Sequence, residues 1–348
     1  MRMGGPSVAV RGTPGTRDAS RVLVWRRRNA VFAACPWVWA TLALAGLAAL
    51  AAGKKDVRVD RPVGADAVWQ PEAQFLAIVR KTCGEESSSN FGECFAKQMA
   101  SAAPPAAVAF TRSIHNEGWL RDFRKVARVD IAYVLYPFRA NENQGWLLVN
   151  GSPSLVDVDN LQKLPKSEME ENLAWSQLIA RSPRATLFPG DRTGATGPLA
   201  ILNPDGSEEF VVGYKVLDGC PTCAHLGVAF LGFEFNPKGK QTAMEFIEFS
   251  PDADGPPAQP IHIRAGQKFT LALKGDAKHE WSLAQEPARW ILRSVNQSAG
   301  KEPATVFWTF EAITNGSTKM TLAYSSPESP ETAETLALRV TAAPGLGR

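Results

Sequence analysis

Residues 260–284, PIHIRAGQKFTLALKGDAKHEWSLA, decide the fold. Pro260 to Ile263 and Lys268 to Leu273 are short apolar runs rich in β-formers, and the turn between them carries Gly266. A polar stretch, Lys274 to Glu280, then leads into Trp281 to Ala284. The same rhythm continues through Val306 to Ala312, Lys319 to Tyr324 and Thr335 to Thr341. Short β-rich runs separated by turn residues, without helical period, predict an all-β sandwich over residues 260–343.

Upstream, Ser250 to Pro260 reads SPDADGPPAQP. Its polar, Pro-rich and Gly-bearing composition predicts a linker at 251–259. The sandwich is therefore expected to have a core of its own. Residues 71–250 read as an α+β segment, helices first and strands later. Phe75, Ile78, Val79 and Thr82 recur at helical spacing after Pro71. A second helix is expected over Phe95 to Met99 and a third from Ala106 to Val126. Then the period changes. Val129 to Phe138, Trp146 to Val149, Phe210 to Leu217, Val228 to Phe235 and Thr242 to Phe249 read as strands, with a helix over 166–181 among them. Asn236-Pro237-Lys238-Gly239 marks a hairpin.

At the other end, Arg26-Arg27-Arg28 precedes Ala30 to Gly53, a stretch without a charged residue that Lys54-Lys55 closes. Basic, then apolar, then small residues is the order of a secretory signal, and Ala49-Leu50-Ala51 offers a cleavage site. The expectation is a leader over 1–53, cleaved on export, followed by a linker over 54–70. An uncleaved membrane anchor through residues 30–53 is the alternative, because about 20 apolar residues can span a bilayer. Either way the body lies in the periplasm or an equivalent space outside the cytoplasm of a bacterial cell envelope.

The 348 residues are 45% hydrophobic and 21% charged, with a net charge of +3. That is a globular composition. Seven arginines of the leader, opposed there by Asp18 alone, hold much of the positive excess. The body is nearly neutral, which argues against a nucleic-acid partner. Four of the five cysteines, Cys83, Cys94, Cys220 and Cys223, form two close pairs in sequence and are expected as disulfides in an exported body. Closing a loop of the size of Cys83–Cys94 stabilises by about 3 kcal/mol in the chain-entropy model.

Cys220-Pro221-Thr222-Cys223 has the spacing of a redox dithiol, but such a motif needs a helix after it, and a β-like run follows here. It is read as a disulfide bracing a turn. Asp157, Asp159 and Asn160 lack the Gly and the closing Glu of a calcium loop, and turn chemistry accounts for them. The histidines His115, His225, His262 and His279 show no partner motif, and no G-x-S-x-G is present. No catalytic residue, metal site or cofactor is assigned.

Within residues 260–343, Ile261 to Phe269 resembles the opening strand, turn and second strand of the chagasin-type inhibitors of papain-like cysteine proteases. Trp281 matches the Trp that closes that family's first binding loop. Thr305 to Phe310 followed by Gly316, and Met320 to Tyr324, resemble its later strands. The resemblance covers about a quarter of the chain and implies an immunoglobulin-like sandwich in which three loops wedge into a protease cleft. The matching loops are Lys274 to Trp281, with Asp276, Lys278 and His279; Ala299-Gly300-Lys301; and Ser325-Ser326-Pro327. The first keeps the family's length and Trp but not its Asn-Pro-Thr-Thr-Gly, and the third lacks the family's Arg-Pro-Trp. The resemblance implies an exported protein-binding module whose partner is a papain-like peptidase or another envelope protein. An enzyme with a site in the α+β segment, or a small-molecule or glycan-binding protein, is the alternative class.

Overall fold

The computed structural model describes residues 62–84, 88–139, 143–161, 164–190, 197–251, 257–300 and 305–345. The expected signal or anchor segment lies outside them, as do residues 252–256 of the expected linker. The described residues form one compact unit.

Three helices come first: α1 Phe75–Cys83, α2 Phe91–Ala100 and α3 Pro105–Ser113, the last with Pro at its first position, where a missing N–H costs nothing. The Cys83–Cys94 disulfide ties α1 to α2, with Cα atoms 5.6 Å apart. Phe75, Val79, Phe95, Met99 and Trp119 fill a small core between the helices. The helix expected from Ala106 to Val126 ends at Ser113. His115 and Asn116 take positive φ, 61° and 62°, which no α-helix accommodates. The chain turns there, and Trp119–Arg124 becomes a strand, β1.

Strand β1 opens an antiparallel four-stranded sheet with β2 Asp130–Leu135, β3 Gln144–Val149 and β4 Leu155–Asp157, in that order. Leu120, Phe123, Ala132, Val134, Leu147 and Val149 face α3, while Ile131, Trp146 and Leu148 join the core beneath the next sheet. Asp157 turns the chain after β4, accepting from the Asp159 N–H at 2.9 Å. Helices α4 Lys166–Glu171 and α5 Leu173–Arg181 follow.

The larger sheet has eight strands. Its path runs β13 Leu292–Ala299, β14 Thr305–Ala312, β11 Lys268–Lys274, β6 Leu199–Leu202, β7 Glu208–Asp218, β8 His225–Phe235 and β9 Gln241–Pro251, with β5 Ala185–Pro189 pairing β7 beyond the end of β6. A second sheet, β10 Gln259–Arg264, β16 Ser329–Ala343, β15 Gly316–Ser326 and β12 Glu280–Gln285, covers one part of it. Two sheets packed face to face over Phe269, Leu271, Trp308, Phe310, Met320, Leu322 and Leu338 make the sandwich.

The core of that sandwich crosses the expected boundary. Strand β11 pairs with β6 at Thr270↔Leu202, Leu271↔Ile201 and Ala272↔Ala200. Leu199, Ile201, Val211 and Phe230 from the earlier segment enter the same apolar cluster as Phe269 and Leu338. A linker composition marks where the chain leaves one strand and enters another. It does not report how strands distant in sequence pair afterwards.

Candidate functional site

The turn between β7 and β8 holds Cys220 and Cys223, joined as a disulfide with Cα atoms 5.1 Å apart. Gly219 before them has φ 88°, a conformation glycine takes without steric cost. A strand follows Cys223, as the sequence pattern implies, so no helix N-terminus is present to activate a thiol. Both disulfides suit an oxidising environment outside the cytoplasm. Among the described residues, no helix is long and apolar enough to cross a membrane, and no group of three His, Cys, Asp or Glu side chains is placed to hold a metal ion.

The three loop segments singled out in the sequence come to one end of the sandwich. Strand pairing brings Glu280 opposite Ser325, so Asp276, Lys278 and His279 of the β11–β12 loop stand beside Ser326 and Pro327 of the β15–β16 turn. Gly300 lies across the other sheet, its N–H donating to the Thr305 carbonyl at 2.8 Å, and Thr305 pairs with Lys274 at the root of the first loop. Residues 301–304 lie outside the described set.

The first loop is internally braced. The Asp276 carboxylate accepts from the backbone N–H groups of Lys278 and His279 at 2.7 and 2.9 Å and meets the His279 Nδ1 at 3.0 Å. Partial burial pushes the Asp276 carboxyl up. The His279 ring and the Lys278 N–H outweigh that push and hold it at about 2. The His279 ring stacks on Tyr324 at 4.9 Å, and Trp281 stacks on the same ring at 4.9 Å. Burial and the Asp276 carboxylate push the Tyr324 phenol above its ordinary range. Trp281 is 5% exposed and donates its indole N–H to the Lys274 carbonyl at 2.6 Å, closing the loop at its base. Trp281 is thus a core residue that holds the loop, and the exposed side chains presented between Lys274 and Trp281 are Asp276, Ala277, Lys278 and Glu280.

That end of the sandwich meets the first sheet. Thr305 donates its hydroxyl to the Lys125 carbonyl at 2.7 Å. Beside this contact lies a cleft of about 600 Å³, with Lys274, Gly275, Trp281 and Leu336 on one wall and Arg121, Asp122, Arg124, Tyr133 and Trp146 on the other. Sequence reading missed this cleft, because it assigned Trp119–Arg124 to a helix. A bulge explains both facts. The β1–β2 register slips between Leu120 and Asp122, leaving Arg121 as the extra residue. After the slip Phe123 returns to the inner face, while Asp122 and Arg124 share the face of Tyr133 and Trp146. The bulge destroys the period-two alternation by which a strand is recognised in sequence.

No family model matches this chain, and neither does any curated protein. Among solved structures, the crystal structure of EhICP2, a cysteine protease inhibitor from Entamoeba histolytica, is a weak neighbour, 17% identical, covering 25% of this chain and 86% of that one with a TM-score of 0.22.

Proposed function

We propose that this is an exported protein of the cell envelope that binds another protein through the loop end of its sandwich. The observation that carries the reading is the bracing of the first loop. Asp276, His279, Tyr324 and Trp281 fix its shape before any partner arrives, so Lys278 and its neighbours are presented with little conformational freedom left to lose. Ser326 and Pro327 extend the same surface and Gly300 borders it. The leader, the disulfides and the near-neutral body support an envelope location.

A papain-like peptidase is one candidate partner, on the chagasin-like order of strands and loops. The loop chemistry weighs against tight inhibition. Asp276, Lys278 and Glu280 carry charges that must be desolvated in a cleft, and the third loop offers no Arg or Trp anchor. Thr305 and Lys274 at the loop roots also adjoin the first sheet, which narrows the approach of a bulky protease. Titration of papain with the purified protein separates the two forms of the proposal. Unchanged activity keeps a non-peptidase partner in first place. Stoichiometric inhibition at nanomolar concentration puts the inhibitor reading there. For the shared claim, the Lys278→Ala/His279→Ala double variant should fold as the parent does and lose the partner that the parent retains. Equal retention would refute it.

A further inference from the structure

The cleft between β1 and the root of the first loop has no part in the binding reading above. Its chemistry is one-sided. Arg121, Arg124 and Lys274 line it against the single carboxylate of Asp122. Arg124 is the decisive group. Its guanidinium makes one hydrogen bond among the described residues, from Nη2 to the Pro198 carbonyl at 3.0 Å. Asp122 and Glu334 act on it electrostatically without forming an ion pair among the described residues. The Asp122 carboxylate is occupied in part by the Phe123 N–H at 2.8 Å. An arginine that uses one of five donors is poised to receive an acceptor. Burial pulls its pKa down to about 10, so it stays cationic at neutral pH. Trp146, 8% exposed on the same wall, has a buried indole N–H with no acceptor among the described residues. The floor is apolar: Trp281, Leu199 and Leu336 are each buried and border the space.

A concave site with an apolar floor and a few converging donors is the general form of a small-molecule pocket. We infer that this cleft binds a small organic carboxylate, its head group on the Arg124 fork and its apolar body against Trp281 and Leu336. A planar two-oxygen anion matches one guanidinium in bidentate geometry. A dianionic phosphate would call for a second cation beside Arg124, whereas Arg121 is exposed at the rim and Lys274 stands on the other wall. The β1 bulge is what turns Arg124 to this face, so the site is built into the backbone of the strand.

The test follows the tryptophan indole N–H resonances of the ¹⁵N-Trp-labelled protein during titration with phenylacetate, phenyl phosphate and 2-phenylethanol. Phenylacetate should move the Trp146 and Trp281 signals saturably, and the alcohol should not. Arg124→Met should weaken phenylacetate at least about tenfold, the scale of one lost charge-assisted contact. Lys274→Ala and Arg121→Ala should each weaken it less, and they keep the test open if Arg124→Met does not fold. Equal shifts with the alcohol would show a merely apolar crevice. Tighter binding of the phosphate, or no shift with any of the three, would overturn the inference. None of these results depends on the loop-end partner.

Discussion

Replacing Trp281 by alanine removes the largest side chain at the base of the first loop. Trp281 is 5% exposed, stacks on Tyr324 at 4.9 Å and donates to the Lys274 carbonyl at 2.6 Å. A large-to-small change at such a site costs about 3–5 kcal/mol, because transfer energy and contacts are lost and the hole does not fully collapse. Part of that is the ring stack, about 0.5–1.5 kcal/mol, and part is the orphaned carbonyl, about 1 kcal/mol. Trp281→Phe keeps most of the volume and loses the N–H, so it should cost about 1–2 kcal/mol. Urea unfolding followed by circular dichroism measures both. The midpoint should fall in the order parent, Phe, Ala with the slope m unchanged. An unaltered midpoint for Trp281→Ala would place the ring on the surface and make it a binding anchor. Equal losses for Phe and Ala would show that the hydrogen bond, and not packing, carries the effect.

Other expectations follow from the larger sheet. Pairing of Glu209 with Glu234, and of Gly232 with Glu245, sets three carboxylates on one face. Burial, then Glu234 and Glu245, push the Glu209 carboxyl up to about 7. Because the folded state favours its protonated form, stability is full below the ordinary glutamate range and falls as pH rises through about 7, by about 3 kcal/mol in all. Glu209→Gln should therefore be more stable than the parent at about pH 8.5, and thermal melts that coincide across the pH range would refute this. Residues 258–348 alone lack Leu199, Ile201, Val211 and Phe230 from their core and lack the β6 partner of β11. That fragment should unfold in a broad transition. A sharp one by two coincident probes would show that the segment carries its own core.

Much of the β architecture was legible because its strands alternate or run apolar in short stretches between turn residues. Val129 to Phe138, Val228 to Phe235 and Lys268 to Leu273 each lie in or around an observed strand. Strand β13 escaped notice since seven of its eight residues are exposed, and an edge strand with polar faces shows no burial pattern. Strand β6 is four residues long, and nothing local reveals that it lies between β7 and β11. The loop residues Asp276, Lys278, His279, Ser326 and Pro327 were singled out through the resemblance of residues 260–343 to the inhibitor family, and the pairing of β12 with β15 brings the two segments to one end. The cleft was not. It depends on a bulge at Arg121 and on the meeting of residues 119–124 with 274–281, a contact no local pattern encodes.

Site-resolved cross-linking in living cells decides whether the loop end of the sandwich is the surface that meets a partner. A photoreactive residue is placed at Lys278 or Pro327 on the loop end, and at Thr314 on the opposite end of the sandwich, all exposed. One discrete protein adduct of the same mass is expected from positions 278 and 327, formed outside the cytoplasm, and none from 314. Adducts from 314 alone, equal labelling at all three positions, or no adduct at the loop end would contradict this expectation.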